Sequence, residues 1–211
     1  MELNEPNIRT GHPPHSRTEK KNSSPSLRIL LKIALFVTVF ALCFHYPDLT
    51  PGFKHRRETV QEILSVLERH PTGLASVTKE ELAEVIYEEA IRYNHDPKFI
   101  LALIFAESEF WNWAVSEKGA KGLMQIMPCV AQSLAQELGI EWMGDRTLFN
   151  PYLNIRMGIY YLSQLILDFR DLGLAMTAYN YGPTYVKGLI ERREEIPFNY
   201  YHRLLTVYQK L

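Results

Sequence analysis

PKFILALIFAESEF, residues 97–110, decides how this chain folds. From Phe99 to Ala106 every position is apolar, so a helix built from it keeps no face for water. Such a helix belongs at the centre of a packed domain. Asp96-Pro97 supplies its start, an N-cap carboxylate followed by a proline whose missing N–H costs nothing in the first turn. Glu107 stands at the other end. A carboxylate there is paired, surface-exposed or desolvated, and by frequency alone a glutamate is a surface residue. Desolvation raises a carboxyl pKa toward neutrality, the condition a general acid needs. Glu109, two residues on, points about 200° round the helix and does not share a cleft with Glu107.

Working outward, the pattern stays helical. Glu58 to His70 carries Val60, Ile63, Leu64 and Leu67 at helical spacing before Pro71 and Gly73 break it. Thr78 and Glu81 form a capping box that opens a helix through Tyr93, with Leu82, Val85, Ile86 and Ala90 on one face. Pro128 starts another, which Gly139 closes in the left-handed conformation. Asn150-Pro151 opens the next, with Ile155, Ile159, Leu162, Ile166 and Phe169 as its apolar stripe. No segment alternates with period two. The expected class is all-α, with any sheet small.

The stretch that follows Glu107 narrows the reading. AESEFWNWAVSEKGAKGLMQIMPCVAQ contains Glu107-Ser108, Ala114, Ser116, Gly119-Ala120-Lys121-Gly122-Leu123-Met124-Gln125 and Pro128. A second block holds Asn150-Pro151, Asn154-Ile155, Gly158 and Tyr161-Leu162, and a third Ala178-Tyr179-Asn180 with Gly182-Pro183. In this order and spacing they resemble the signature of the soluble lytic transglycosylases, relatives of goose-type lysozyme. The resemblance runs from about Asp96 to Gly188. It departs at Tyr181, where a small residue is usual, at Thr184, where glycine is common, and at Val130, where threonine is.

That resemblance implies a lysozyme-like helical domain that cleaves peptidoglycan glycan strands between N-acetylmuramic acid and N-acetylglucosamine, with no cofactor or metal. It makes Glu107 the catalytic acid and base and leaves an anhydro-muramyl end. It places Ser108, Gly122, Met124, Gln125, Tyr179 and Asn180 at the substrate, Gln125 on the acetamido groups and the Tyr179 hydroxyl on the Glu107 carboxyl. Each has a plainer reading: Ser108 as a backbone partner, Gly122 as a tight turn, Met124 and Tyr179 as core, Gln125 as a loop amide. Trp111 and Trp113 are candidates for stacking on sugars or for packing at a helix end. Two other functions stay open: a hydrolase of the goose lysozyme type, for which Asp145 or Asp168 would supply a second carboxylate, and a wall-binding scaffold without activity.

The amino-terminal part is of another character. Residues 1–26 are polar and rich in Pro, Ser, Asn and His, and are expected to be a disordered cytoplasmic tail. Residues 27–46 follow as LRILLKIALFVTVFALCFHY. The uninterrupted apolar centre, Ile33 to Phe44, is short, but Arg28 and Lys32 can snorkel, which extends the segment to roughly 20 residues, enough to cross a bilayer. An uncleaved transmembrane anchor is expected, against a signal peptide or a lipoprotein signal, for which Ala41-Leu42-Cys43 is a poor cleavage site. Lys and Arg before the span place the amino end in the cytoplasm. The expected location is therefore the inner membrane, with a linker at 47–57 and the catalytic domain, 58–211, facing the periplasm. With 23 basic and 24 acidic side chains the net charge is -1, which argues against a nucleic-acid partner. Cys43 and Cys129, the two cysteines, are too few for a disulfide framework.

Overall fold

The computed structural model describes residues 25–45 and 51–211 and divides into two units, one ending at Thr50 and one spanning Pro51–Leu211. The described residues of the first form one helix, α1 (Pro25–His45). Its side chains from Leu27 to Leu42 are exposed, Phe36 stacks on Phe40, and the Thr38 hydroxyl donates to the Ala34 carbonyl (2.7 Å). Among the described residues no helix is long and apolar enough to cross a membrane. The expected transmembrane span is thus not shown among the described residues, where Arg28 and Lys32 fall in the first turns and the uninterrupted apolar stretch begins only at Ile33. The expected disordered tail lies outside the described residues as far as position 24.

The second unit begins earlier than the sequence pattern suggests. Helix α2 (Pro51–Glu68) runs through most of the stretch expected to be a linker, of which residues 47–50 lie outside the described residues. Pro51 and Gly52 interrupt nothing because they occupy the first turn, where proline is tolerated. Arg56 then ties the helix to α3 through Glu84 (2.5 Å) and Glu88 (3.0 Å).

Helices α3 (Lys79–Arg92), α4 (Pro97–Ser108), α5 (Pro128–Leu138), α6 (Asp145–Leu148), α7 (Pro151–Phe169), α8 (Leu172–Tyr181), α9 (Pro183–Arg192) and α10 (Asn199–Lys210) complete the domain. The boundary residues act as read. Thr78 and Glu81 cap α3 reciprocally, Asp96 accepts from the Lys98 amide at α4, Asn150 accepts from the Leu153 amide at α7, and Gly139 ends α5 at φ 65°. Helix α4 is the central element: Ile100, Leu101, Ala102, Leu103 and Ile104 are buried, and α2, α3 and α10 all pack against it. Each of the leucine and isoleucine side chains contributes about 1.5–3 kcal/mol on full burial. The only extended pairing among the described residues is a pair of isolated antiparallel bridges, Val115–Lys121 and Lys121–Ile126, in the loop between α4 and α5.

Candidate active site

The loop after α4 has too little regular structure to hold itself, and buried side chains from α7 hold it. Asn154 is fully buried. Its Oδ1 accepts from the Met124 amide (2.8 Å), and its Nδ2 donates to the carbonyls of Lys121 (3.0 Å) and Leu148 (2.9 Å). Gly122 (φ 84°) lies so close to Asn154 and the Leu148 carbonyl that a Cβ there would collide with both. At Gly158 a Cβ would collide with the Met124 side chain. The second sequence block thus exists to clamp the first.

Three of the seven expected site residues belong to this clamp and not to a cavity. Ser108 donates to the Leu123 carbonyl (2.8 Å), with the Ile104 carbonyl at 3.1 Å. Gly122 is buried against Asn154. Met124 is wholly enclosed on Gly158, so its side chain is core and cannot pack beside a sugar.

The other four, Glu107, Gln125, Tyr179 and Asn180, line one cavity of about 600 Å³, within the ~300–1,000 Å³ usual for ligand sites. Gln125 sits in the left-handed region (φ 48°) and donates from Nε2 to the carbonyls of Gly122 (2.9 Å) and Ala114 (3.1 Å). With its amide hydrogens so engaged, what it offers a ligand is its carbonyl oxygen. Tyr179 differs from expectation: its hydroxyl donates to the Met124 carbonyl (2.9 Å), fixing the loop, and not to Glu107. Burial, then the nearby Glu107 charge, pushes its pKa well up.

The hydroxyl on the Glu107 carboxyl comes from Tyr200 of α10, which donates to Oε1. Glu107 is a half-buried residue whose carboxyl is largely enclosed, and burial raises its pKa to about 7. The Tyr200 hydrogen bond and the Arg203 charge pull the other way and lose. Arg203 lines the cavity, with its guanidinium 5.4 Å from the Tyr200 ring centre. Neither Tyr200 nor Arg203 was among the expected residues. They stand more than ninety positions from Glu107, and the one local signal was the apolar face of α10, Tyr200 and Leu204.

The candidate second carboxylates lie elsewhere. Asp145 pairs with Lys121 (2.6 Å), and Asp168 with Lys187 (3.3 Å). Glu117, exposed on the loop, is the other carboxylate lining the Glu107 cavity. Trp113 donates to the Gly73 carbonyl (2.6 Å) and packs on Phe149 in a separate cavity of about 510 Å³.

The sequence profile of the family described as "Transglycosylase SLT domain" matches residues 84–201, more than half of the chain and all the cavity residues named except Arg203. The chain belongs to that family. Among individual relatives, a membrane-bound lytic murein transglycosylase C of Actinobacillus pleuropneumoniae is 35% identical over 95 residues, 44% of this chain and 26% of that protein. The protein of the same name from Histophilus somni is 31% identical over 131 residues, 57% of this chain and 36% of that protein. This SLT-domain chain therefore spans about a quarter to a third of the length of these relatives. The 70-kDa soluble lytic transglycosylase of Escherichia coli shares its fold, at a TM-score of 0.53 with 21% identity, over 72% of this chain and 29% of that one.

Proposed function

We propose that this SLT domain is a peptidoglycan lytic transglycosylase in which Glu107 serves in turn as acid and base. The observation that carries the reading is one carboxyl, poised near neutrality by burial, in a glycan-sized cavity. Protonated Glu107 gives its proton to the glycosidic oxygen as the bond from that oxygen to the muramyl anomeric carbon breaks. The muramyl 6-hydroxyl attacks the same carbon, closes the anhydro ring, and returns its proton to Glu107. No water is consumed. The nucleophile is part of the reacting sugar, and intramolecular attack of this kind reaches effective molarities of about 10⁵–10⁸ M. Tyr200 orients the carboxyl, Arg203 steadies its ionised form, and the Gln125 carbonyl accepts from an acetamido N–H.

Glu117 keeps a second reading in view, since a hydrolase needs another carboxylate to orient water. Mass spectrometry of fragments released from peptidoglycan by the purified chain separates the two. Products ending in anhydro-muramic acid, lighter by one water than reducing-end products, are expected. Predominantly reducing-end products whose formation needs Glu117 would move the enzyme to the hydrolases, and Glu107→Gln that retained full biological function would favour a scaffold.

We further propose that α1 attaches the domain to the inner membrane, with the catalytic domain in the periplasm. Its exposed apolar side chains, the basic residues before Ile33 and the relatives named membrane-bound support this. Protease added to spheroplasts is expected to digest the domain, and recovery of the chain in the soluble fraction would contradict attachment.

A further inference from the structure

At the edge of the Glu107 cavity the exposed ring of Tyr181 stands where the family pattern has a small residue, and the exposed ring of Tyr185 lies beside it. Tyr181, the last residue of α8, lines the cavity and is 40% exposed; Tyr185, on the first turn of α9, is 49% exposed. Their ring centres are 5.8 Å apart with planes tilted by 36°. Gly182 and Pro183 set the turn between them. Gly182 (φ 93°) takes a conformation that residues with side chains rarely adopt, and Pro183 fixes the first turn of α9. Val186 and Leu189 are the buried residues that anchor α9, while Tyr185 stays about half exposed. From a different segment, Ser116, Glu117 and Lys118 give the same cavity hydroxyl, carboxylate and ammonium groups. Apolar ring faces beside hydrogen-bonding groups match the two-sided character of a pyranose, whose C–H face is apolar and whose rim carries hydroxyls.

We propose that Tyr181, backed by Tyr185, is a stacking platform for a pyranose ring of the glycan strand, one sugar position along from the bond that Glu107 cleaves. The proposal rests on the reading of the cavity as a peptidoglycan site and adds to it a specificity-determining residue particular to this chain. Because the rings are held before the sugar arrives, little ordering opposes binding. Stacking of this kind is present before and during the reaction alike, so its loss falls on KM more than on kcat.

The test titrates the full chain carrying Glu107→Gln with peptide-free glycan strands of alternating N-acetylglucosamine and N-acetylmuramic acid. Adding Tyr181→Ala is expected to weaken binding about tenfold, and Tyr181→Phe to preserve it. In the active enzyme the same Tyr181→Ala change is expected to raise KM. Thermal melting of each variant establishes that the exposed substitution leaves the domain folded. Unchanged binding in Tyr181→Ala overturns the platform while leaving the transglycosylase reading intact, and so does absence of glycan binding in every variant if cleavage persists. Tyr181-dependent binding without anhydro products from the wild-type chain would do the reverse.

Discussion

Helix α4 carries a carboxylate at each end, and α10 supplies each with a tyrosine hydroxyl, yet the two ends do different things. At the start, Asp96 accepts from Tyr208 (2.6 Å) and from the Lys98 amide (2.9 Å) in the open, where it caps the helix. At the end, Glu107 accepts from Tyr200 inside the cavity wall. The cause of each tyrosine's raised pKa shows the difference. For Tyr208 the leading cause is the hydrogen bond to Asp96, whereas for Tyr200 it is burial. The same donor and acceptor chemistry caps a helix where water competes and meets a carboxyl of raised pKa where burial limits water.

The comparison breaks most directly through Glu107. In Glu107→Gln, strand cleavage is expected to fall by at least the ~10²–10⁴-fold that general acid catalysis supplies. Residual turnover within about tenfold of wild type would reject the assignment. The same variant sharpens the energetics. Between the ordinary carboxyl pKa near 4.5 and the folded value of about 7, the native state holds a proton that the unfolded chain has released. Wild-type stability contributed by this group is therefore present at low pH and lost as pH rises through 7. Thermal unfolding across pH should show Glu107→Gln gaining up to about 3 kcal/mol on wild type between pH 4 and 8. A gap that narrows with pH would contradict the role given to burial.

Tyr200→Phe is the next test. Hydrogen bonds to charged groups are worth about 1.5–3 kcal/mol, so a loss of roughly ten- to hundredfold in kcat/KM is expected. Because the Tyr200 bond lowers the Glu107 pKa, the alkaline limb of the pH–rate profile should also move to higher pH. An unmoved limb would leave Tyr200 a packing residue only. Tyr208→Phe is the control with the smallest effect. Its exposed bond predicts a stability loss of about 1 kcal/mol or less and an unmoved limb, checked by denaturant unfolding and by the rate profile.

How much of this was legible in the sequence follows the same division between local and long-range. The capping box at Thr78, the Asp96-Pro97 and Asn150-Pro151 starts and the Gly139 stop are local signals, and each stands where it was read. Glu107 was singled out by the motif blocks that follow it, since a carboxylate after an apolar run is by itself more often at the surface. What the motif could not separate was holding the loop from lining the cavity. Ser108, Gly122 and Met124 keep company with Gln125 in sequence, but their side chains or backbones turn to Leu123, Asn154 and Gly158. Tyr179 was placed in the right wall and given the wrong partner, since only packing shows which tyrosine reaches the carboxyl. The short helix α6 has no periodicity to read, and α2 begins with residues that resemble a linker until Arg56 finds Glu84.

Enclosure, acting against both Tyr200 and Arg203, sets the Glu107 proton near neutrality. A carbon-13 NMR titration of the Glu107 side-chain carboxyl reads that proton directly. A midpoint at about pH 7 is expected. A midpoint in the ordinary glutamate range, about 4.3, would contradict it.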